Sequence, residues 1–317
     1  MITLRFRPDR TFTIVQFTDL HIHDDPGTSR ATLDLMAQVL DAEQPDLAIL
    51  TGDVIAGGSC KNPRESFRRA ASPMEERCIP WAAVFGNHDD EGIHSRRELM
   101  ALQQEMARCL SEPGPADVPG VGNYVLTVLS AEADVPAAYL YCLDSGSYAP
   151  EDIGGYAWIE PGQVAWYREK AGALGQTGPD PLPALAFFHI PLPEFHFVWD
   201  RGGCEGDKFE TICSPVLNSG LFLQMVEVGD VLGVFVGHDH INDFEGELCG
   251  IRLCYGRAGG YGTYGKEGFP RGARLIRLRE GVRGFETWLR LDDGSVVERS
   301  PHRGASRGVI RRDDIAT

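Results

Sequence analysis

Apolar and polar positions alternate along the first half of the chain between two periods. Thr11 to Thr18 is a β-branched and aromatic run that predicts a strand. Thr32 to Leu40 then places Leu33, Met36, Ala37 and Leu40 at helical spacing, with Thr28 or Ser29 as candidate N-caps. Asp46 to Thr51 predicts a short buried strand, and Pro63 to Cys78 a helix that Pro73 should interrupt or end. Pro80 to Phe85 predicts the next strand and Ser95 to Leu110 the next helix. This β-α-β-α-β order implies a parallel or mixed sheet with helical crossovers.

Further strands are expected at Tyr124–Ser130, Tyr139–Asp144, Ala184–His189 and Val231–Val236, with a helix over Gln163 to Leu174. In the last third, Ile251–Tyr255, Ala273–Arg279 and Phe285–Leu291 are separated by Gly-rich turns and predict antiparallel strands. Segments 111–122 and 175–183 are rich in Gly and Pro and are expected as surface loops. No repeat and no long linker divides the chain. A single domain is therefore expected over residues 1–298, followed by an Arg-rich, aperiodic tail over 299–317.

Charge narrows the partners. Of 317 residues, 30 are Lys or Arg and 46 Asp or Glu, a formal charge of −16, which disfavours non-specific binding to nucleic acid or an anionic membrane. No apolar run approaches the roughly 20 residues of a membrane-spanning helix, and no leader pattern is visible at the N-terminus. Cytoplasmic localisation is the expectation. The eight cysteines form no C-x-x-C pair and are expected to be reduced.

The candidate chemistry sits where strands end. In order, the segments are Thr18-Asp19-Leu20-His21, Thr51-Gly52-Asp53, Gly86-Asn87-His88-Asp89, Phe188-His189-Ile190 and Gly237-His238-Asp239-His240. Beyond the carboxyl ends of strands in an open α/β sheet, such side chains converge on one edge. Imidazole, carboxylate and amide oxygen together suit divalent first-row metals. Asp19 and His21, like His238 and His240, are two apart and can grip one ion from an extended segment. Asp53 is placed to bridge two ions. Two metals roughly 3.5–4 Å apart form a clamp for in-line displacement at phosphorus, with a bridging hydroxide as nucleophile.

These five blocks, D-x-H, G-D, G-N-H-D, a lone His and G-H-x-H, resemble the calcineurin-like metallophosphoesterase superfamily from about Asp19 to His240. Gly86 to Gly92, His189-Ile190-Pro191-Leu192-Pro193, Gly237 to Asp243 and the Tyr-Gly-Arg turn at Tyr255 are similar to its purple acid phosphatase-like branch. The resemblance implies a four-layer α/β/β/α sandwich of two mixed sheets. It implies one metal on Asp19, His21, Asp53 and His240 and another on Asp53, Asn87, His189 and His238. It also implies that His88 contacts the phosphoryl group or protonates the leaving oxygen. Asp89 is the candidate to orient the His88 ring, and His196 and Arg257 are candidate substrate contacts. One departure stands out: Ala56 occupies the position of the branch's iron-ligating tyrosine, three residues after Asp53. A colourless pair drawn from Mn, Fe, Zn or Ni is therefore expected.

The implied activity is a binuclear metal-dependent phosphoric ester hydrolase acting on a small phosphorylated substrate, as a phosphomonoesterase. The alternatives are a phosphodiesterase, with cyclic nucleotides as one candidate substrate class, and a metal-free protein-binding scaffold, although no ligand position is lost here. His23 is expected at the rim, and His94 and His302 in structural positions. Gly260 to Lys266 spells G-x-G-x-x-G and most of a P-loop, but Glu267-Gly268-Phe269-Pro270 cannot open the helix either motif needs.

Overall fold

The computed structural model describes residues 2–174 and 181–303. The helical side of the first half comprises α1 (Pro26–Glu43), α2 (Pro63–Glu76) and α3 (Arg96–Gln104). They cover a sheet in which β2 (Thr11–Phe17), β3 (Leu47–Thr51) and β4 (Trp81–Val84) run parallel. Three antiparallel strands extend it from β2: β11 (Gly272–Arg279), β12 (Gly284–Leu291) and β13 (Val296–Glu298). The second sheet has the order β1 (Leu4–Arg5), β5 (Tyr124–Leu129), β6 (Pro136–Cys142), β7 (Ala184–Phe187), β8 (Val231–Val236), β10 (Ile251–Tyr255) and β9 (Glu245–Leu248). Its outer face carries α4 (Pro161–Ala173), α5 (Glu194–Arg201) and α6 (Leu221–Val228).

The period-2 pattern of β2 explains the layering. Phe12 and Ile14 enter the core between the sheets with Leu140, Phe187 and Phe235. Val15 and Phe17 point the other way, against Leu35, Met36, Phe67 and Met74 of the helices. A third core packs Trp166 and Tyr167, Phe195 and Met225 on the second sheet. The expected α/β/β/α order is what these three cores build.

Several local expectations change. α1 starts earlier, at Pro26, because Asp25 caps it by accepting from the Gly27 and Thr28 amides. Pro73 lies inside α2 without ending it. The proline removes the N–H that would reach the Arg69 carbonyl, and Ser72 Oγ donates to that oxygen instead at 3.0 Å. Ile251–Tyr255 pairs antiparallel with β9 but parallel with β8. The α3 helix ends at Gln104, well short of Leu110. Its start is a capping box: Ser95 accepts from the Glu98 amide, and Glu98 Oε2 accepts from the Ser95 amide at 2.8 Å. Ser95→Ala should lower stability by about 1 kcal/mol, read as a reduced denaturant midpoint at unchanged slope.

Arg299 to Arg303, expected within the tail, are held to the body. Arg299 pairs with Asp243 at 3.2 Å, and β14 (His302–Arg303) adds antiparallel to β12. His302 is buried there, while His94 lies 3.7 Å from Glu98. Residues 304–317 of the expected tail and 175–180 of the expected loop lie outside the described residues. All eight cysteines are free thiols. Among the described residues, no helix is long and apolar enough to cross a membrane.

Candidate metal centre

Five parallel strands, β2, β3 and β4 of one sheet and β7 and β8 of the other, end at one edge of the molecule. The two sheets meet there: Gln16 Nε2 donates to the Val236 carbonyl at 3.0 Å. Each strand runs directly into one of the five sequence blocks, so seven side chains converge. Asp19, His21, Asp53 and His240 form one donor group; Asp53, His189 and His238 form a second. Asn87 joins the second, with Oδ1 at 3.2 Å from His189 Nε2. All seven are buried.

The backbone is strained to achieve this. Asp19, His21, Asp53 and His238 have φ of 53°, 44°, 48° and 80°. A left-handed conformation costs a non-glycine residue about 1–2 kcal/mol, and such residues gather where the surroundings over-determine them for function. Gly52, at φ 88°, also allows a close approach that any side chain would block, since a Cβ there would lie 2.6 Å from His189 Nδ1.

The donor atoms fit cations. His189 donates Nδ1–H to the Thr51 carbonyl at 2.8 Å, which turns Nε2 inward. That nitrogen faces three acceptors: Asp53 Oδ2 at 3.2 Å, Asn87 Oδ1 at 3.2 Å and His238 Nδ1 at 3.3 Å. On the other side, His21 Nε2 and His240 Nε2 face each other at 3.2 Å, and Asp53 Oδ2 lies 3.5 Å from His21 Nε2. Asp53 Oδ2 is aligned with none of them for a hydrogen bond and is a buried, unpaired carboxylate oxygen. Facing lone pairs around an orphaned carboxylate oxygen demand positive charge. His240 is fixed from behind by Thr263 Oγ1 at 2.9 Å from Nδ1, and Asp53 Oδ1 accepts from the His88 amide at 2.8 Å.

Electrostatics agree. Burial lowers His21 to about 4 and His238 to about 3, and lowers His240 well below its ordinary value. These three rings are neutral at pH 7, the form that offers a lone pair to a metal. Burial alone would raise Asp53, yet the adjacent His189 charge holds it well below the usual carboxylate range; Asp53 in turn raises His189 to about 9 against its burial, so a cation there would replace the proton on that ring. Asp19 is raised to about 7, chiefly by burial.

Some expected residues are elsewhere. Asp89 does not orient the His88 ring. It is buried, and its two oxygens accept from the Ile55 amide at 3.0 Å and the Gly86 amide at 2.7 Å, so it pins the loop backbone. Glu91 takes the expected role, with Oε2 at 2.7 Å from His88 Nδ1. Arg257 is not free to reach a phosphate. Its guanidinium pairs with Asp243 at 2.6 Å, donates to the Pro270 carbonyl and lies over the Phe269 ring. His196 is exposed on α5 and belongs to neither donor group. His23 is tied into the start of α1, accepting at Nδ1 from the Asp25 amide at 3.0 Å. The glycines of 260–265 open no helix; Gly260 lets the loop lie on the Asp19 and Leu20 carbonyls, and Gly262 lets it pass His21 and His23.

The sequence reading missed the aromatic flanks. Tyr264 stacks on His240 with ring centroids 4.1 Å apart, and Tyr156 meets His238 edge-on at 4.2 Å. Tyr148 stacks on Tyr156 at 5.9 Å. These tyrosines come from loops with no periodicity. Glu91, three residues after His88, lay within a block already singled out.

The comparisons with known proteins agree with this geometry. Similar proteins include "Probable inactive purple acid phosphatase 29" of Arabidopsis thaliana, 36% identical across 97% of this chain and 90% of that protein. "Probable inactive purple acid phosphatase 14" of the same plant is 34% identical across 92% of this chain and 83% of that protein. Among solved structures, a dimetal phosphatase from Danio rerio superposes with a TM-score of 0.66 at 15% identity, covering 93% of this chain and 99% of that one. The family model described as calcineurin-like phosphoesterase matches residues 12–242, and the chain belongs to that family.

Proposed function

We propose that the protein is a dimetal phosphoric ester hydrolase, and that it acts as a phosphomonoesterase on a small phosphorylated substrate. The observation that carries this is the pair of donor groups sharing Asp53, whose Oδ2 is buried and unpaired between them. Two divalent cations bound there would polarise a phosphoryl oxygen and lower the pKa of a water toward neutrality. Asp53, common to both donor groups, would contribute to holding each ion. Asp19, His21 and His240 belong to one side; Asn87, His189 and His238 to the other. His88 is half-exposed, with its ring centroid 5.2 Å from that of His21, so it borders the same centre. Glu91 engages Nδ1, so it is the imidazolium form of His88 that presents an Nε2–H to give a proton to the leaving oxygen or to hold a phosphoryl oxygen.

The printed names of the similar proteins support phosphatase chemistry, and they also favour a second reading. Two of them are called inactive, so a metal-binding but non-catalytic protein is the competing account. One comparison separates the two. The purified chain is assayed on an aryl phosphomonoester and a bis-aryl diester, before and after chelation. Monoester turnover that EDTA removes and Mn²⁺ or Zn²⁺ restores is the expected result. Dominant diester turnover would overturn the monoester assignment. Bound metal with neither activity would favour the non-catalytic reading. The metals should be divalent and the protein colourless, because Ala56 supplies no phenolate; a strong visible charge-transfer band would contradict this.

A further inference from the structure

Asn87 and His88 are adjacent but must present chosen atoms. Only the Oδ1 end of an asparagine amide can face a cation; the Nδ2 end would repel it. A neutral imidazole carries its single proton on one nitrogen or the other, as its neighbours dictate. Glu91 bears on both choices, directly at His88 and through Tyr148 at Asn87.

Glu91 Oε2 lies 2.7 Å from His88 Nδ1, so that nitrogen carries the proton of the neutral ring. The other oxygen, Oε1, accepts from the Tyr148 hydroxyl at 2.6 Å. With its only proton committed, that hydroxyl accepts from Asn87 Nδ2 at 3.2 Å. The amide is thereby fixed with Oδ1 toward His189 Nε2. The stack of Tyr148 on Tyr156, itself against His238, fixes where the hydroxyl sits.

The backbone of this loop is anchored by other groups. Arg96 donates to the Gly86 carbonyl at 2.9 Å and pairs with Asp144, and Ser147 Oγ donates to the Asn87 carbonyl at 3.1 Å. Glu91 and Tyr148 are thus not what holds the chain in place.

We propose that Glu91 and Tyr148 form a positioning bracket that sets the amide orientation of Asn87 and the tautomer of His88. The significance of those two choices rests on the dimetal reading above; the bracket itself is a matter of side-chain orientation. Without Glu91, the Tyr148 proton is uncommitted and the hydroxyl can donate to the amide as well as accept from it, so the orientation of Asn87 is no longer selected. Without the Tyr148 hydroxyl, nothing holds Nδ2 outward, while Glu91 still holds His88.

The test uses Tyr148→Phe, Glu91→Ala and the double variant in the full chain, with folding checked by circular dichroism. Metal-stripped protein is titrated calorimetrically with Mn²⁺, and the His88 ring nitrogens are read by ¹⁵N NMR at alkaline pH. Each single variant should bind one of two ions about 10–100-fold more weakly, the usual cost of losing a group that orients a ligand. The double variant should be no weaker than the worse single one, because both act through one amide. The His88 spectrum should change from the Nδ1–H form to a mixture in Glu91→Ala and stay unchanged in Tyr148→Phe. Wild-type affinity for both ions in the single variants, or an unchanged His88 spectrum in Glu91→Ala, would overturn the bracket. If the wild-type chain takes up no Mn²⁺, the dimetal reading fails, and the His88 spectra alone support or overturn the bracket.

Discussion

Asp53→Asn should abolish hydrolysis while the chain keeps its fold. The substituted amide can still accept from the His88 amide through Oδ1, the bond that Asp53 Oδ1 makes at 2.8 Å. Its NH₂ end would replace the orphaned Oδ2 and could donate to His21 Nε2 or His189 Nε2, now 3.5 and 3.2 Å away. The apo protein exchanges the charged contact between Asp53 and His189 for neutral hydrogen bonds, so the fold should hold with at most a modest loss of stability. The cations lose the one anionic oxygen common to both sites. Turnover should fall by at least about 10²–10³-fold, which is the cost of removing a single preorganised electrostatic contact. Metal content should fall with it. Full metal occupancy with near-normal turnover would remove Asp53 from the bridge.

His88→Ala should act differently. The imidazole is half-exposed and belongs to neither donor group, so both ions should remain bound. Turnover should drop by roughly 10²–10⁴-fold, the usual contribution of a general acid or base. The loss should shrink for leaving groups such as nitrophenol, which need little protonation. A uniform loss across leaving groups would mean that His88 stabilises the phosphoryl oxygens instead. A parallel fall in metal content would make it a ligand.

These outcomes depend on residues of very different legibility. The strands β2, β3, β4, β7 and β8 announce themselves as apolar runs because they are buried on both faces. The blocks at their ends are legible because strand termini fix where the next few residues go. The start of α3 was legible too, within one residue of the expected Ser95. Pro73 was misread because the rule against interior proline takes no account of a neighbouring Ser72 hydroxyl that satisfies the freed carbonyl. Arg257 looked available because a sequence does not show that Asp243 and Phe269 already occupy it. The Asp89 and Glu91 exchange is the same lesson at shorter range. Both carboxylates lie within three residues of His88, and only the turn of the loop decides which one meets the ring. Tyr148, Tyr156 and Tyr264 arrive from irregular loops, whose paths are set by tertiary contacts rather than by periodicity.

The most direct test of the central claim is anomalous diffraction from crystals of the metal-stripped chain reloaded with Mn²⁺. Two adjacent peaks are predicted, about 3.5–4 Å apart, one bounded by Asp19, His21 and His240 and the other by Asn87, His189 and His238, with Asp53 touching both. A single peak, or none at saturating Mn²⁺, would contradict it.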